Sequence, residues 1–160
     1  MLQVYEDKLN ELDARVIKYF YNFVQTLLDR DRPFKILEVY RSQEVQDVYY
    51  AQGREPLVEV NARRKELGLY QLPPAEDRII THAKKSTHTD RCAMDLVPRI
   101  TMVNFKDGRR TESERIPWNL DEPGVLPLWE AIVRIGVACG LEAGAKWQGF
   151  ADWPHYQKII

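Results

Sequence analysis

The strongest periodic signal opens the chain. Leu9, Leu12, Val16, Phe20, Phe23, Val24, Leu27 and Leu28 recur at helical spacing with charged residues between them, so 7–29 is expected as one amphipathic helix. Such a helix needs a second surface to cover its apolar stripe, which points to a packed core. Asp29-Arg30-Asp31-Arg32-Pro33 ends it. Phe34–Tyr40 reads as a strand, and Ser42 is placed to cap a second helix over 43–53, closed by Gly53. A third helix is expected from Pro127 to Cys139, with Gly140 just past its end. Ile79-Ile80 reads as a short buried strand, and 54–78 as a solvated loop or short exposed helix broken at Pro73-Pro74. Residues 96–105 read as a strand region limited by Pro98, followed by the Asp107-Gly108 turn signal and a polar return segment. Loop is expected over 111–126 and short strands in the aromatic tail, 147–158. The pattern is mixed α+β in a single domain: an N-terminal helical segment, 1–33, and a core, 34–160.

Composition narrows the classes. At 160 residues, 44% apolar and 29% charged, the chain has one domain's length and ordinary globular usage. Its 23 basic and 24 acidic residues give a net charge of −1, so no global basic field is available to hold nucleic acid. Arg63-Arg64-Lys65 and Arg109-Arg110 read as solvated faces that could at most help the approach to an anionic surface. Two cysteines, Cys92 and Cys139, make no disulfide framework, which suits a reduced compartment. The N-terminus lacks a basic segment followed by an apolar run, and no stretch of 18 apolar residues occurs. The expectation is a cytoplasmic product at synthesis, monomeric and without membrane insertion.

The chemistry concentrates in two short motifs that hold two of the three histidines. Ser86-Thr87-His88-Thr89-Asp90-Arg91-Cys92-Ala93-Met94-Asp95 is the first, and Asp152-Trp153-Pro154-His155-Tyr156-Gln157 the second. His88, Asp95 and His155 offer two nitrogen ligands and one oxygen ligand, with Asp152 as a spare carboxylate. Three protein ligands and an open water position make up a catalytic zinc site, and a nearby carboxylate can move the water's proton. Each piece alone is weak: a single histidine is more often a surface or core residue, and Asp152 could cap a turn. His82 reads as a strand-end surface residue or a neighbour of the site. Trp147 and Trp153 read as core or cleft wall, and Cys92 as a rival ligand to Asp95.

The ordered set of motifs is more specific. Tyr40-Arg41-Ser42, Gln46, Tyr50-Ala51-Gln52-Gly53-Arg54, Ser86-x-His88-x6-Asp95, Gly140-Leu141, Trp147 and Asp152-x-Pro154-His155-x-Gln157 resemble the zinc peptidases of the D-alanyl-D-alanine carboxypeptidase and L-alanyl-D-glutamate endopeptidase family. The resemblance spans about 34–158 and is nearest in style to phage endolysins. It implies a small antiparallel sheet with packed helices and one zinc ion on His88, Asp95 and His155. It implies Asp152 as the general base, Arg41 facing the substrate carbonyl and Ser86 near the substrate backbone. Gln46 and the Tyr50–Arg54 run match positions that are mainly structural. The implied activity is cleavage of peptidoglycan stem peptides, at L-alanyl-D-glutamate for an endolysin released through a holin and carrying no separate wall-binding domain. Rivals are a D-alanyl-D-alanine carboxypeptidase or dipeptidase, and a dead wall-binding module. The chain departs from the family at Arg91, where Gly is usual, at His82, where Asn is usual, and near Lys84, where Gly is usual. Its segment before the Ser86 motif, 55–78, is longer than is common: a lid, a specificity loop or merely an insertion.

Overall fold

The computed structural model describes residues 2–160. Its α+β architecture is a four-stranded antiparallel sheet, helices packed against it, and a separate two-stranded hairpin. The expected first helix is divided. A 3-10 turn at Leu2–Tyr5 leads into α1, Glu6–Leu9, and α2 follows at Ile17–Asp29. Asp13 explains the break. Its carboxylate accepts from the Arg15 N–H, and its own N–H donates to Arg91 O, so this backbone is drawn out of the helical pattern. Leu9, Leu12 and Val16 are still fully or nearly buried, so the apolar stripe survives the break.

In the sheet, β1 (Phe34–Glu38), β2 (Ala93–Pro98), β6 (His155–Gln157) and β5 (Glu142–Ala143) lie in the order β1-β2-β6-β5. The period of two separates the residues of β2. Met94 and Leu96 join the main core with Phe20, Phe23, Val24 and Leu27 of α2 and Ile132 and Ile135 of α5, which spans Val125–Ala138. Asp95 and Val97 take the other face. On β6, Tyr156 enters the main core while His155 and Gln157 share the opposite face. Each large apolar side chain buried this way contributes about 1.5–3 kcal/mol, so the core fixes which face every sheet residue occupies.

Other elements follow or correct the sequence reading. Ser42 caps α3, Gln43–Ala51, accepting from the Val45 N–H. Gly53 follows with φ +72°, and a Cβ there would lie 2.5 Å from Ile79 N. Residues 57–66 form α4, which buries Val60 and Arg64, where loop or an exposed helix was expected. Ile79 and Ile80 are exposed and lie in no strand, because no neighbouring strand pairs with them. The strand expected over 96–105 is two strands meeting at Arg99. β3 (Ile100–Lys106) pairs with β4 (Arg109–Arg115) across Asp107-Gly108, both of positive φ, so the return segment follows the turn signal and 111–115 is strand where loop was expected. Among the described residues, no helix is long and apolar enough to cross a membrane.

A candidate metal centre in an open cleft

Sheet register assembles the centre. Asp95 lies opposite His155 across the β2–β6 ladder, so two motifs far apart in sequence become cross-strand neighbours. His88 comes from the turn before β2. Ser86 Oγ accepts from the His88 N–H, and Thr89 Oγ1 donates to Ser86 O at 2.6 Å, which folds that turn. The His88 carbonyl accepts from the N–H groups of both Arg41 and Arg91. On the other side β1 carries a bulge at Leu37, so Glu38 pairs with Asp95, and Val39 O lies 2.8 Å from His88 Nδ1.

Three ligand atoms converge. His88 Nε2 is 3.1 Å from Asp95 Oδ1 and 3.2 Å from His155 Nδ1, and His155 Nδ1 is 3.2 Å from Asp95 Oδ1. A tetrahedral ion with bonds of about 2.0–2.1 Å holds its ligand atoms about 3.3 Å apart, so this triangle has the size such an ion requires. The chemistry of the set agrees. His88 Nδ1 faces a carbonyl, which can only accept, so Nδ1 carries the proton and Nε2 presents a lone pair to the cluster. The residues fit a metal ion.

Electrostatics favour a cation here. Burial works against the Asp95 carboxylate, yet the His155 and His88 rings beside it outweigh that and hold Asp95 well below the ordinary range. Burial also works against charge on His155, but Asp95 prevails and raises its pKa. A cluster that draws positive charge onto an imidazole is one that a cation can satisfy.

The centre lines a cavity of about 670 Å³ together with Arg41, Ser86 and Asp152. Burial, then the neighbouring Asp95 charge, pushes the Asp152 carboxyl up. Its loop depends on Gly144, whose carbonyl accepts from the Asp152 N–H at 3.0 Å. A Cβ on Gly144 would lie 2.5 Å from Asp152 O and 3.1 Å from His155 Cβ. Arg41 reaches the cavity from the end of β1. Its Nε donates to Glu38 at 3.1 Å and its Nη1 to Gln46 Oε1 at 2.7 Å, while its guanidinium lies over the Tyr49 ring. Gln46 is fully buried and also donates to Ala83 O, so it aims Arg41. Glu38 is a positioning group that the sequence did not single out, and Gln46 is one that it marked only as structural.

The remaining candidates separate. Cys92 is buried away from the centre with its Sγ toward Asp90 O, and burial raises its thiol pKa, so it is no rival to Asp95. Trp147 is cleft wall, its ring 5.0 Å from His155, while Trp153 packs on Trp129. His82 is exposed at the cavity rim and meets Phe150 edge-on across it. Arg91 adopts φ +58°, the left-handed conformation a glycine takes without strain. It is held there by its guanidinium over the Tyr40 ring, 4.0 Å away, and by Nη1 donating to Glu11 O.

These features define a class: a buried two-histidine, one-carboxylate centre at the floor of an open cleft, with a further carboxylate and an arginine on its wall. The comparisons then place the chain more closely. Residues 81–158 match the family model described as D-alanyl-D-alanine carboxypeptidase, so the resemblance to these peptidases holds over the stretch that carries all three ligand residues and Asp152. Among solved structures, the crystal structure of the Serratia marcescens L-Ala D-Glu endopeptidase ChiX is similar at TM-score 0.48 and 18% identity, covering 96% of this chain and 85% of that one. A likeness that loose carries no inference about activity. No curated protein matches the sequence.

Proposed function

We propose that the protein is a zinc-dependent peptidase of bacterial peptidoglycan that cleaves stem peptides, at L-alanyl-D-glutamate, as a phage-type endolysin. The observation that carries this reading is the triangle of His88 Nε2, Asp95 Oδ1 and His155 Nδ1 on a cavity that Asp152 and Arg41 also line. Zinc on those three atoms would supply Lewis acidity and a water acidified toward neutral pH. Asp152 accepts the proton of the attacking water. The Arg41 guanidinium, aimed by Glu38 and Gln46, faces the scissile carbonyl and stabilises the charge that develops on its oxygen. Asp152 then returns the proton to the departing amine. Ser86, on the same wall, positions the substrate backbone. Release through a holin would bring a chain of this kind to the wall.

A second reading has one observation in its favour. The matching family model is described as a D-alanyl-D-alanine carboxypeptidase, so removal of terminal D-alanine is the alternative cut. Digestion of purified walls separates the two: new L-alanine and D-glutamate termini support the endopeptidase, and free D-alanine supports the carboxypeptidase. Wall lysis should stop on chelation and return with zinc. Lysis that persists in the chelator overturns the metal mechanism, and no lysis by zinc-loaded protein favours a wall-binding module.

Asp152→Ala should keep its zinc and lose roughly 10²–10⁴ in kcat. Because burial raises the Asp152 pKa, activity should fall as pH drops through that raised value and the base takes up its proton. Stability has the opposite sign. A carboxyl whose folded pKa is raised contributes stability below its unfolded pKa and loses it as pH rises through the folded one. Metal-free Asp152→Asn should therefore melt higher than wild type at neutral pH.

A further inference from the structure

The polar side chains that line the cleft divide into those already engaged by the protein and those left over. Thr81 Oγ1 accepts from the Ala83 N–H, Ser86 Oγ from the His88 N–H, and Thr87 Oγ1 donates to Gln157 Oε1. Tyr49, His82, Lys85 and Asp152 also line the cleft, and their side chains make no hydrogen bond to the described residues. Asp152 is the base of the mechanism above. His82 and Lys85 are exposed, on a stretch outside any helix or strand. Tyr49 differs, because its ring is held on all levels of structure. It is half-buried on α3, which packs on α4 through Val48, Ala51 and Val60. Gln46 lies one turn earlier on the same face, so that face meets Arg41 twice. The Gln46 amide takes Arg41 Nη1 at 2.7 Å, and the guanidinium lies 4.9 Å from the centre of the Tyr49 ring. A second guanidinium, that of Arg64 on α4, lies over the same ring at 5.7 Å. Arg64 is 7% exposed and has no carboxylate partner among the described residues; its Nε donates to Tyr70 O and its Nη1 to Gln52 Oε1. Two cations over one ring hold it in place, while its hydroxyl is neither bonded nor enclosed.

We propose that Tyr49 is a substrate-binding residue whose hydroxyl donates to a peptide carbonyl oxygen, next to the carbonyl that Arg41 faces. The inference deepens the peptidase reading above and rests on it. A hydroxyl can donate or accept. With two guanidiniums beside it, an electron-rich oxygen is drawn to this hydroxyl, and an N–H, positive at its hydrogen, is not. A peptide in the cleft offers both groups, and the field selects the carbonyl. The charge on a carbonyl away from the reacting bond changes little during the reaction, so the contact acts on substrate binding rather than on the chemical step. The same stack carries α4 into the site. Through Arg64, the 55–78 segment braces the wall that Tyr49 and Arg41 share.

The test uses the Zn2+-loaded protein and a soluble stem peptide. Tyr49→Phe keeps the ring and removes the hydroxyl alone. KM should rise roughly 3–10-fold with kcat within about twofold, as for loss of one uncharged hydrogen bond. Zn2+ affinity, read by chelator competition, should not change. Tyr49→Leu removes the ring as well and should lower kcat by roughly 3–10-fold, because Arg41 loses its stack. A wild-type KM in Tyr49→Phe overturns the contact, and a loss carried by kcat alone overturns its assignment to substrate binding. Equal kcat in Tyr49→Leu and Tyr49→Phe overturns the part given to the stack. Calorimetric titration with the same peptide keeps this inference apart from the peptidase reading. Should wild type bind the peptide without cutting it, weaker binding by Tyr49→Phe upholds the contact and defeats the peptidase. A wild type that neither binds nor cuts the peptide overturns both.

Discussion

β2 and β3 are separated by a single residue, Arg99, and both carry apolar side chains, yet they have opposite fates. β2 is paired on both edges, by β1 and β6, and all its residues but Asp95 are buried. β3 is paired only with β4; Ile100 is half-buried and the rest of the strand is exposed, Phe105 at 76%. The hairpin has good turn chemistry and a regular ladder, and it builds no site. The difference lies in what covers each strand. α2 and α5 on one face of β2 fix its register, so Asp95 is turned away from the core and toward the cleft, opposite His155. A ladder without a covered face positions nothing.

That contrast can be broken at several points. The largest effect is expected for Asp95→Ala. It removes an oxygen ligand and leaves two imidazole nitrogens facing each other, so Zn2+ affinity should fall by more than the roughly 10–100-fold of an outer partner, as a chelator competition would read. Gly144→Ala comes next. Its Cβ would press on the Asp152 and His155 backbone region, and overpacking of that kind costs about 1–3 kcal/mol in a denaturant melt, with kcat lowered as the base shifts. Arg91→Gly should be smaller, because two effects oppose. The glycine relieves left-handed strain of about 1 kcal/mol or more, but the stack on Tyr40 and the tie to Glu11 O are lost. A net change within about 1 kcal/mol by urea unfolding is expected. Phe105→Ser on β3 should be smallest, within about 0.5 kcal/mol and with Zn2+ affinity unchanged. A large loss of affinity there would mean that the hairpin supports the centre after all.

The same contrast explains what was readable in advance. α3 and α5 were legible because a cap serine, a closing glycine and helical spacing are local signals. α4 was not, since only Val60 and Arg64 of its residues are buried and a polar helix has little periodicity to read. The division of 7–29 was hidden because a backbone bond from Asp13 to Arg91, distant in sequence, makes the break. Among the site residues, His88, Asp95 and His155 stood out as a motif and do converge. Val39 O and Glu38 did not, because a backbone carbonyl has no side-chain identity and Glu38 is one acid among many. Arg91 was noticed as a departure from glycine, and its positive φ shows that the turn keeps the shape a glycine would have given it.

The amino-acid order by itself determined the donor types, two imidazoles and the carboxylates, and the short turns that present them. Those follow from side-chain chemistry and from bonds between near neighbours. Only the tertiary structure decided that His88 Nε2 and His155 Nδ1, rather than the other ring nitrogens, face Asp95, and that Gln157 and Val39 hold them so. An imidazole's orientation is set by whichever acceptor packing brings to its far side. That acceptor is chosen by sheet register and by burial of α2 and α5, which no local pattern specifies.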